Sequence, residues 1–243
     1  MLELTNVTKK YLTRTALDDV SLRLEAGRTC LLLGPNGSGK TTMMKLIAGL
    51  ARPTSGDIRF EGLPIGKASK ARVAYMPTEN YFYNYMTVKD AGRYYADFFA
   101  DFDARRFDRL LNALELEPKD RVRQLSSGMA AKLRLALTLG RDAGLMMFDE
   151  PLNGVDILTR TQVIEAILAG RAEGRSMLIS THLVDELEDV VDDLVFLKQG
   201  KLVLAGDKRQ ICDGRTLKAL YLEIYGRTSV EEAMNAEEDG NHA

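Results

Sequence analysis

The sequence has no tryptophan, two cysteines, two histidines and six prolines among 243 residues. Cys30 and Cys212, with no CxxC pair, give neither a disulfide framework nor a metal knuckle. That usage fits a reducing compartment. Cys30 opens the apolar run Cys30-Leu31-Leu32-Leu33 and reads as a small buried hydrophobe. Long apolar runs are missing too, since none approaches the ~18 residues a membrane span needs. The opening residues Met1-Leu2-Glu3-Leu4-Thr5 lack the basic start and apolar stretch of a signal peptide. Work at a membrane would therefore need another chain to cross it. There is no excess of charge of either sign: 33 Lys and Arg face 35 Asp and Glu, a formal −2. Nothing pulls the chain as a whole towards nucleic acid, and no nucleic-acid partner is expected.

What is present is ordinary globular composition, 45% hydrophobic and 28% charged. That supports one large domain or two small ones and excludes disorder, collagen and disulfide scaffolds for most of the length. The charge is uneven, however. Residues 1–72 hold 12 basic and 6 acidic side chains, so the remainder is net −8. Both random scatter and an anion-handling first third account for it.

Residues 1–27 read as short strands and turns, with Val20, Leu22 and Leu24 alternating with polar neighbours. Residues 29–33 form an apolar strand of the buried parallel kind. A helix is predicted over 41–50, ended by Gly49 and Pro53, and strand-like runs return around 58–60 and 73–76. Eleven of the 17 aromatics then fall within 75–107. Helix-spaced apolar residues over 86–116 predict a helical insertion at about 80–140. Buried strands recur at 144–149, 177–180 and 194–197, with helices between them at about 157–172 and 183–190. The alternation predicts an α/β fold with a mostly parallel sheet. Residues 226–243, rich in Glu, are expected to be an acidic, frayed tail.

Gly34-Pro35-Asn36-Gly37-Ser38-Gly39-Lys40-Thr41 matches G-x-x-x-x-G-K-[ST], placed between an apolar strand and a helix. Glycines let successive N–H groups turn towards one anion, and the helix start adds its positive dipole end. Lys40 supplies a point charge for the β- and γ-phosphates. Thr41 offers a hydroxyl to Mg2+, and Thr42 stands in reach of the α-phosphate. At 145–150, four apolar residues precede Asp149 and Glu150, so both acids emerge at a strand's carboxyl end, where α/β sheets bind ligands. Asp149 is the candidate Mg2+ holder and Glu150 the group that would polarise an attacking water.

Three further segments carry a resemblance. Leu125-Ser126-Ser127-Gly128-Met129 is similar to the signature L-S-G-G-Q of ABC ATPases. Pro151-Leu152-Asn153-Gly154-Val155-Asp156 looks like their D-loop, and Ile179-Ser180-Thr181-His182 like the segment of their switch histidine. Over residues 2–206 the chain resembles the ATP-binding subunit of an ABC transporter, and its spelling resembles subunits serving separate ABC-2-type exporter permeases. The resemblance implies a P-loop NTPase core of mostly parallel sheet, with an N-terminal antiparallel β subdomain and a helical insertion, over residues 1–225. It implies ATP and Mg2+ as ligands. It also implies a head-to-tail dimer with a second copy or a related subunit, in which Ser126, Ser127 and Gly128 meet the partner's nucleotide. The alternative for that tripeptide is a plain helix cap. Tyr11 would stack on adenine, and His182 would hold the γ-phosphate and lytic water together with Glu150. The family places the subunit in the cytoplasm, held at the membrane's inner face by a separately encoded transmembrane permease.

The chain departs from that pattern at Thr78, which stands where the family carries a Gln that senses Mg2+. Thr78 is the third candidate metal residue after Thr41 and Asp149; it would reach the metal through a water, or Glu79 would substitute. Asn80-Tyr81-Phe82-Tyr83-Asn84-Tyr85, next along, suits either a permease-facing surface or the insertion's core. Two competing readings are a soluble ABC ATPase acting on a macromolecular assembly and an ATP-gated scaffold with negligible turnover.

Overall fold

The computed structural model describes residues 2–79, 81–171 and 174–226; Asn80 and nearly all of the expected acidic tail lie outside them. Two long strands, β1 (Leu2–Tyr11) and β2 (Arg14–Leu24), pair antiparallel. With β4 (Ser55–Phe60) and the short β5 (Leu63–Pro64) they form a four-stranded sheet in the order β2-β1-β4-β5. The second sheet runs β10-β9-β3-β8-β7-β6. Its strands are β3 (Thr29–Leu33), β6 (Val73–Met76), β7 (Leu145–Asp149), β8 (Ser176–Thr181), β9 (Asp193–Lys198) and β10 (Lys201–Asp207). Every pairing in it is parallel except the β9–β10 hairpin.

The sheet is buried on both faces because consecutive apolar residues point opposite ways. Leu31, Leu33, Met146, Phe148, Ile179 and Phe196 enter one core. Cys30, Leu32, Leu145, Met147, Leu178 and Val195 enter the other, against β1, β2, β4 and helix α1 (Lys40–Ile47). The first core is closed by α3 (Val88–Phe98), α4 (Ala104–Ala113), α5 (Ser127–Leu139) and α6 (Ile157–Arg171), after the one-turn α2 (Lys67–Lys70). The last elements of the described residues are α7 (Lys208–Cys212) and α8 (Leu217–Tyr225). Among the described residues no helix is long and apolar enough to cross a membrane.

Three expectations need correction. Helix periodicity over 183–190 does not yield a helix; the segment is turns with a single 3-10 turn at Glu188–Val190. Its acidic side chains and carbonyls are taken by distant partners: Arg160 binds Glu186, Lys218 binds Asp185, and Leu217 N donates to Glu188. Helical periodicity over 86–116 is also interrupted. Between α3 and α4 the chain turns at 99–103, where Phe102 bridges to Arg141 and Asp103 caps α4 by accepting from Arg105 N and Arg106 N. The predicted short strands of residues 1–27 are in fact two long ones.

Four helix starts rest on aspartates whose carboxyls are held below the ordinary value. Asp90 is lowered by the Thr87 hydroxyl, Asp103 by Arg106 N, Asp156 by Thr159 N and Asp207 by the Arg28 guanidinium. A depressed folded pKa adds stability that is present above the unfolded value of about 4 and lost as pH falls through the folded one. The thermal midpoint is therefore expected to be flat from about pH 7 to 5 and to drop below about pH 4. A midpoint that rises on acidification through that range contradicts these caps.

Candidate functional site

Register alone gathers the candidate residues. Leu33 pairs with Thr181 and Asp149 with Ser180, while Met76 pairs with Phe148. The segments that follow β3, β6, β7 and β8 therefore leave the sheet at one edge, with β3 at its centre. These are the loop 34–39, Pro77-Thr78, Glu150 and His182.

The loop curls because Gly34, Gly37 and Gly39 take positive φ. Pro35, Asn36 and Gly37 are exposed at its rim, and Ser38 is buried. The turn closes through Ser38 N donating to Pro35 O at 3.1 Å. Arg14, the first residue of β2, donates to Gly37 O at 3.0 Å, so the loop is held from outside as well. Tyr11, its pairing partner at the end of β1, is half exposed, with Lys9 Nζ 4.7 Å from its ring centre. Gly39 precedes the helix, and Lys40, Thr41 and Thr42 form its first turn.

Lys40 is only 6% exposed. Its ammonium donates to Gly34 O at 2.7 Å and lies 3.2 Å from Glu150 Oε1. That carboxylate oxygen is buried and accepts no hydrogen bond of good geometry, so the contact is one of charge. The other oxygen, Oε2, faces His182 Nδ1 at 2.9 Å. Glu150 reaches both because its backbone turns to φ +49°, held there by Glu150 N donating to Ser180 O and Oγ. Such a conformation costs an ordinary side chain on the order of 1–3 kcal/mol and is tolerated where the surroundings enforce it.

Asp149 is fully buried. Ser180 Oγ donates to its Oδ1 at 2.6 Å and Thr41 Oγ1 to the same oxygen at 3.2 Å, while Tyr75 OH donates to Oδ2 at 3.1 Å. Burial and the Asp149 charge push the Tyr75 phenol upward, so it stays a donor. Tyr75 and Ser180 are site residues that sequence reasoning missed as such. Ser180 is level with Asp149 across the parallel ladder, and Tyr75 stands on β6 level with Met147, two residues before it; that register was the available signal. Thr78 donates to the Asp149 main-chain carbonyl at 3.2 Å rather than to its carboxylate.

The donor set suits Mg2+ with a triphosphate. Among the described residues no cluster of three acidic, His or Cys side chains forms a metal cage. Thr41 and Asp149 instead supply two adjacent hard oxygens, and Mg2+ is usually completed by phosphate oxygens and water. Ser38 Oγ is buried without a partner at the cradle wall. An unpaired buried hydroxyl beside a curled run of N–H groups fits a bound anion.

Ser126, Ser127 and Gly128 are not joined to this cradle. Ser126 caps α5, accepting from Met129 N at 3.2 Å. Ser127 donates to Gly154 O at 3.0 Å, and Gly128 packs on Thr159. Both serines are exposed. A cleft of about 640 Å3 opens from Thr41 and Asp149, past Thr78, towards Tyr81, Tyr95 and Phe99. The aromatic cluster divides between its two readings: Phe82 packs against the first core, whereas Tyr83 is 59% and Tyr85 72% exposed.

A sequence model described as ABC transporter matches residues 17–153. The chain is 34% identical over 227 residues to the ABC transporter ATP-binding protein YtrB of Bacillus subtilis (strain 168), covering 92% of this chain and 76% of that one. It is 33% identical to the Nod factor export ATP-binding protein I of Neorhizobium galegae, covering 93% and 67%. Two other curated relatives are longer, and the chain spans 58% and 59% of them. Among solved structures, one described as the ATP binding subunit of an ABC transporter superposes with TM-score 0.84 at 27% identity, covering 92% of this chain and 99% of that one.

Proposed function

This chain belongs to the ABC transporter family of ATP-binding proteins, and on that basis we propose that its cradle binds MgATP and hydrolyses it to drive a separate membrane permease. The observation that carries the reading is the contact chain Lys40–Glu150–His182 at the mouth of the loop. Lys40 is neutralised by Glu150. A γ-phosphate entering the cradle competes for the Lys40 ammonium and draws it off Glu150 Oε1. The freed carboxylate then faces the phosphate with an open lone pair, placed to take a proton from water. His182, fixed on Glu150 Oε2, orients that carboxylate and presents its remaining ring nitrogen outward. Thr41 and Asp149 would hold Mg2+, whose chemistry is to offset charge on the β- and γ-oxygens. Ser180 and Tyr75 keep the Asp149 carboxylate aimed. Tyr11 stands at the rim for adenine, and Thr42 in the helix's first turn for the α-phosphate.

Ser126 and Ser127 lie exposed at a helix start, with Gly128 buried beside them, and the dipole there favours an anion. Since they do not meet their own cradle, a second copy, turned head to tail, is the partner they serve. Capping and phosphate contact are compatible, because Ser126 keeps an O–H to donate. The exposed aromatics beside the cleft are the surface offered to a permease, and export is the direction the relative's name favours.

The test is phosphate release by the purified protein with and without Mg2+, followed by capture from solubilised membranes. Mg2+-dependent release together with a co-purifying membrane protein supports the reading. Release without such a partner favours an ATPase acting on a soluble assembly, and absence of release leaves a nucleotide-gated scaffold.

A further inference from the structure

Helix α8 lies outside every motif described so far, yet it reaches the root of the phosphate loop. The Tyr225 hydroxyl shares its one proton between Leu33 O at 3.1 Å and Leu197 O at 2.9 Å. Leu33 ends β3, and its carbonyl belongs to the peptide that leads into Gly34. Leu197 O is the atom that a Cβ on Gly34 would strike at 2.5 Å. One phenol thus bridges the two strand-end carbonyls between which the loop begins. The ring itself is packed, with Tyr221 at 4.6 Å and Phe196 at 6.1 Å between centres.

The helix is tied at both ends. Lys198 Nζ donates to Ile224 O at 2.8 Å beside Tyr225. At the other end Leu217 N donates to Glu188 Oε1 at 2.9 Å, and Lys218 pairs with Asp185 at 2.8 Å. Residues 185–188 belong to the turn that follows His182. The helix therefore runs from the segment carrying the histidine to the first peptide of the cradle.

We propose that α8 is a strap that sets the position of the phosphate loop, with Tyr225 as its positioning residue for nucleotide binding. The proposal rests on the reading that the loop holds a triphosphate. A cradle of N–H groups binds one anion well only if its entry peptide is fixed, because a small rotation there re-aims every donor after it. Gly34 is hemmed in by Leu197 O on one side and Ser38 on the other, so the separation of β3 and β9 at this end is transmitted to the loop. Tyr225 fixes that separation, and the phenol stays protonated for the task because burial pushes it upward.

Tyr225→Phe keeps the ring and removes only the O–H. Titration of the variant with MgATP and with ADP is expected to give dissociation constants three- to tenfold weaker. KM follows, while kcat at saturation stays within twofold. Without nucleotide the thermal midpoint moves by only about 2–4 °C, the scale of one hydrogen bond in a chain this long. Leu222→Ala, exposed on the same helix, is expected to bind as the parent does. Unchanged affinity in Tyr225→Phe, or equal weakening in both variants, overturns the strap. A parent that takes up no MgATP overturns the nucleotide reading itself.

Discussion

Glu150→Gln is expected to bind MgATP at least as tightly as the parent and to hydrolyse it about 10²–10⁴-fold more slowly, the usual share of a general base. That is about 3–5 kcal/mol of barrier. The side chain is 10% exposed and its shape is kept, so the fold should hold. What changes is charge. The parent carboxylate competes with the γ-phosphate for Lys40; the amide does not, and the ammonium is released to the nucleotide. Hydrolysis is also what would separate two copies clasped around ATP. The variant should therefore accumulate as a dimer with MgATP in size-exclusion chromatography and run as a monomer without it. Turnover equal to the parent's would remove Glu150 from the proton transfer. A variant that binds ATP yet stays monomeric at every concentration would remove the head-to-tail arrangement.

How much of this site is legible in the sequence follows from how local each part is. The phosphate loop is the most legible, since the atoms that shape it lie within eight consecutive residues and only glycine suits the turns they make. Asp149 and Glu150 come next, since four apolar residues before two acids place a strand end without any partner being known. Tyr75 and Ser180 were not legible as ligands of Asp149, because their bonds depend on register between strands 31 to 74 residues apart. Tyr225 is further still, its phenol meeting a carbonyl 192 residues away. Residues 183–190 mislead for the same reason. Their spacing favours a helix, but Asp185, Glu186 and Glu188 are engaged by Lys218, Arg160 and the start of α8, partners that no local spacing shows.

Thr78 shows the limit of motif matching. Its position relative to Pro77 could be aligned with a metal-sensing Gln, but spacing says nothing of where a shorter side chain turns. It turns to the Asp149 main-chain carbonyl, so it steadies the strand end that carries Asp149. Thr78 lines the same cleft as Thr41 and Asp149.

Gly34→Ala is expected to weaken nucleotide binding at least 100-fold. The methyl group would sit 2.5 Å from Leu197 O and 2.4 Å from Ser38 Oγ. The serine can rotate; the carbonyl cannot, since it belongs to β9 and is held by Tyr225. The backbone at φ +157° adds strain for any residue with a Cβ. The loop must then lift from the strand end, and its N–H groups no longer converge on one phosphate. Strain of this kind costs on the order of 1–3 kcal/mol, small against the two apolar cores, so the protein should fold with a modestly lower midpoint. A titration with MgATP separates the two effects: a lowered midpoint with parent-like affinity would show that Gly34 serves the fold and not the cradle. Combining Gly34→Ala with Tyr225→Phe sharpens the result. The phenol holds the carbonyl that the methyl strikes, so its loss lets β9 yield, and the double variant should bind nucleotide better than additivity of the two single losses predicts.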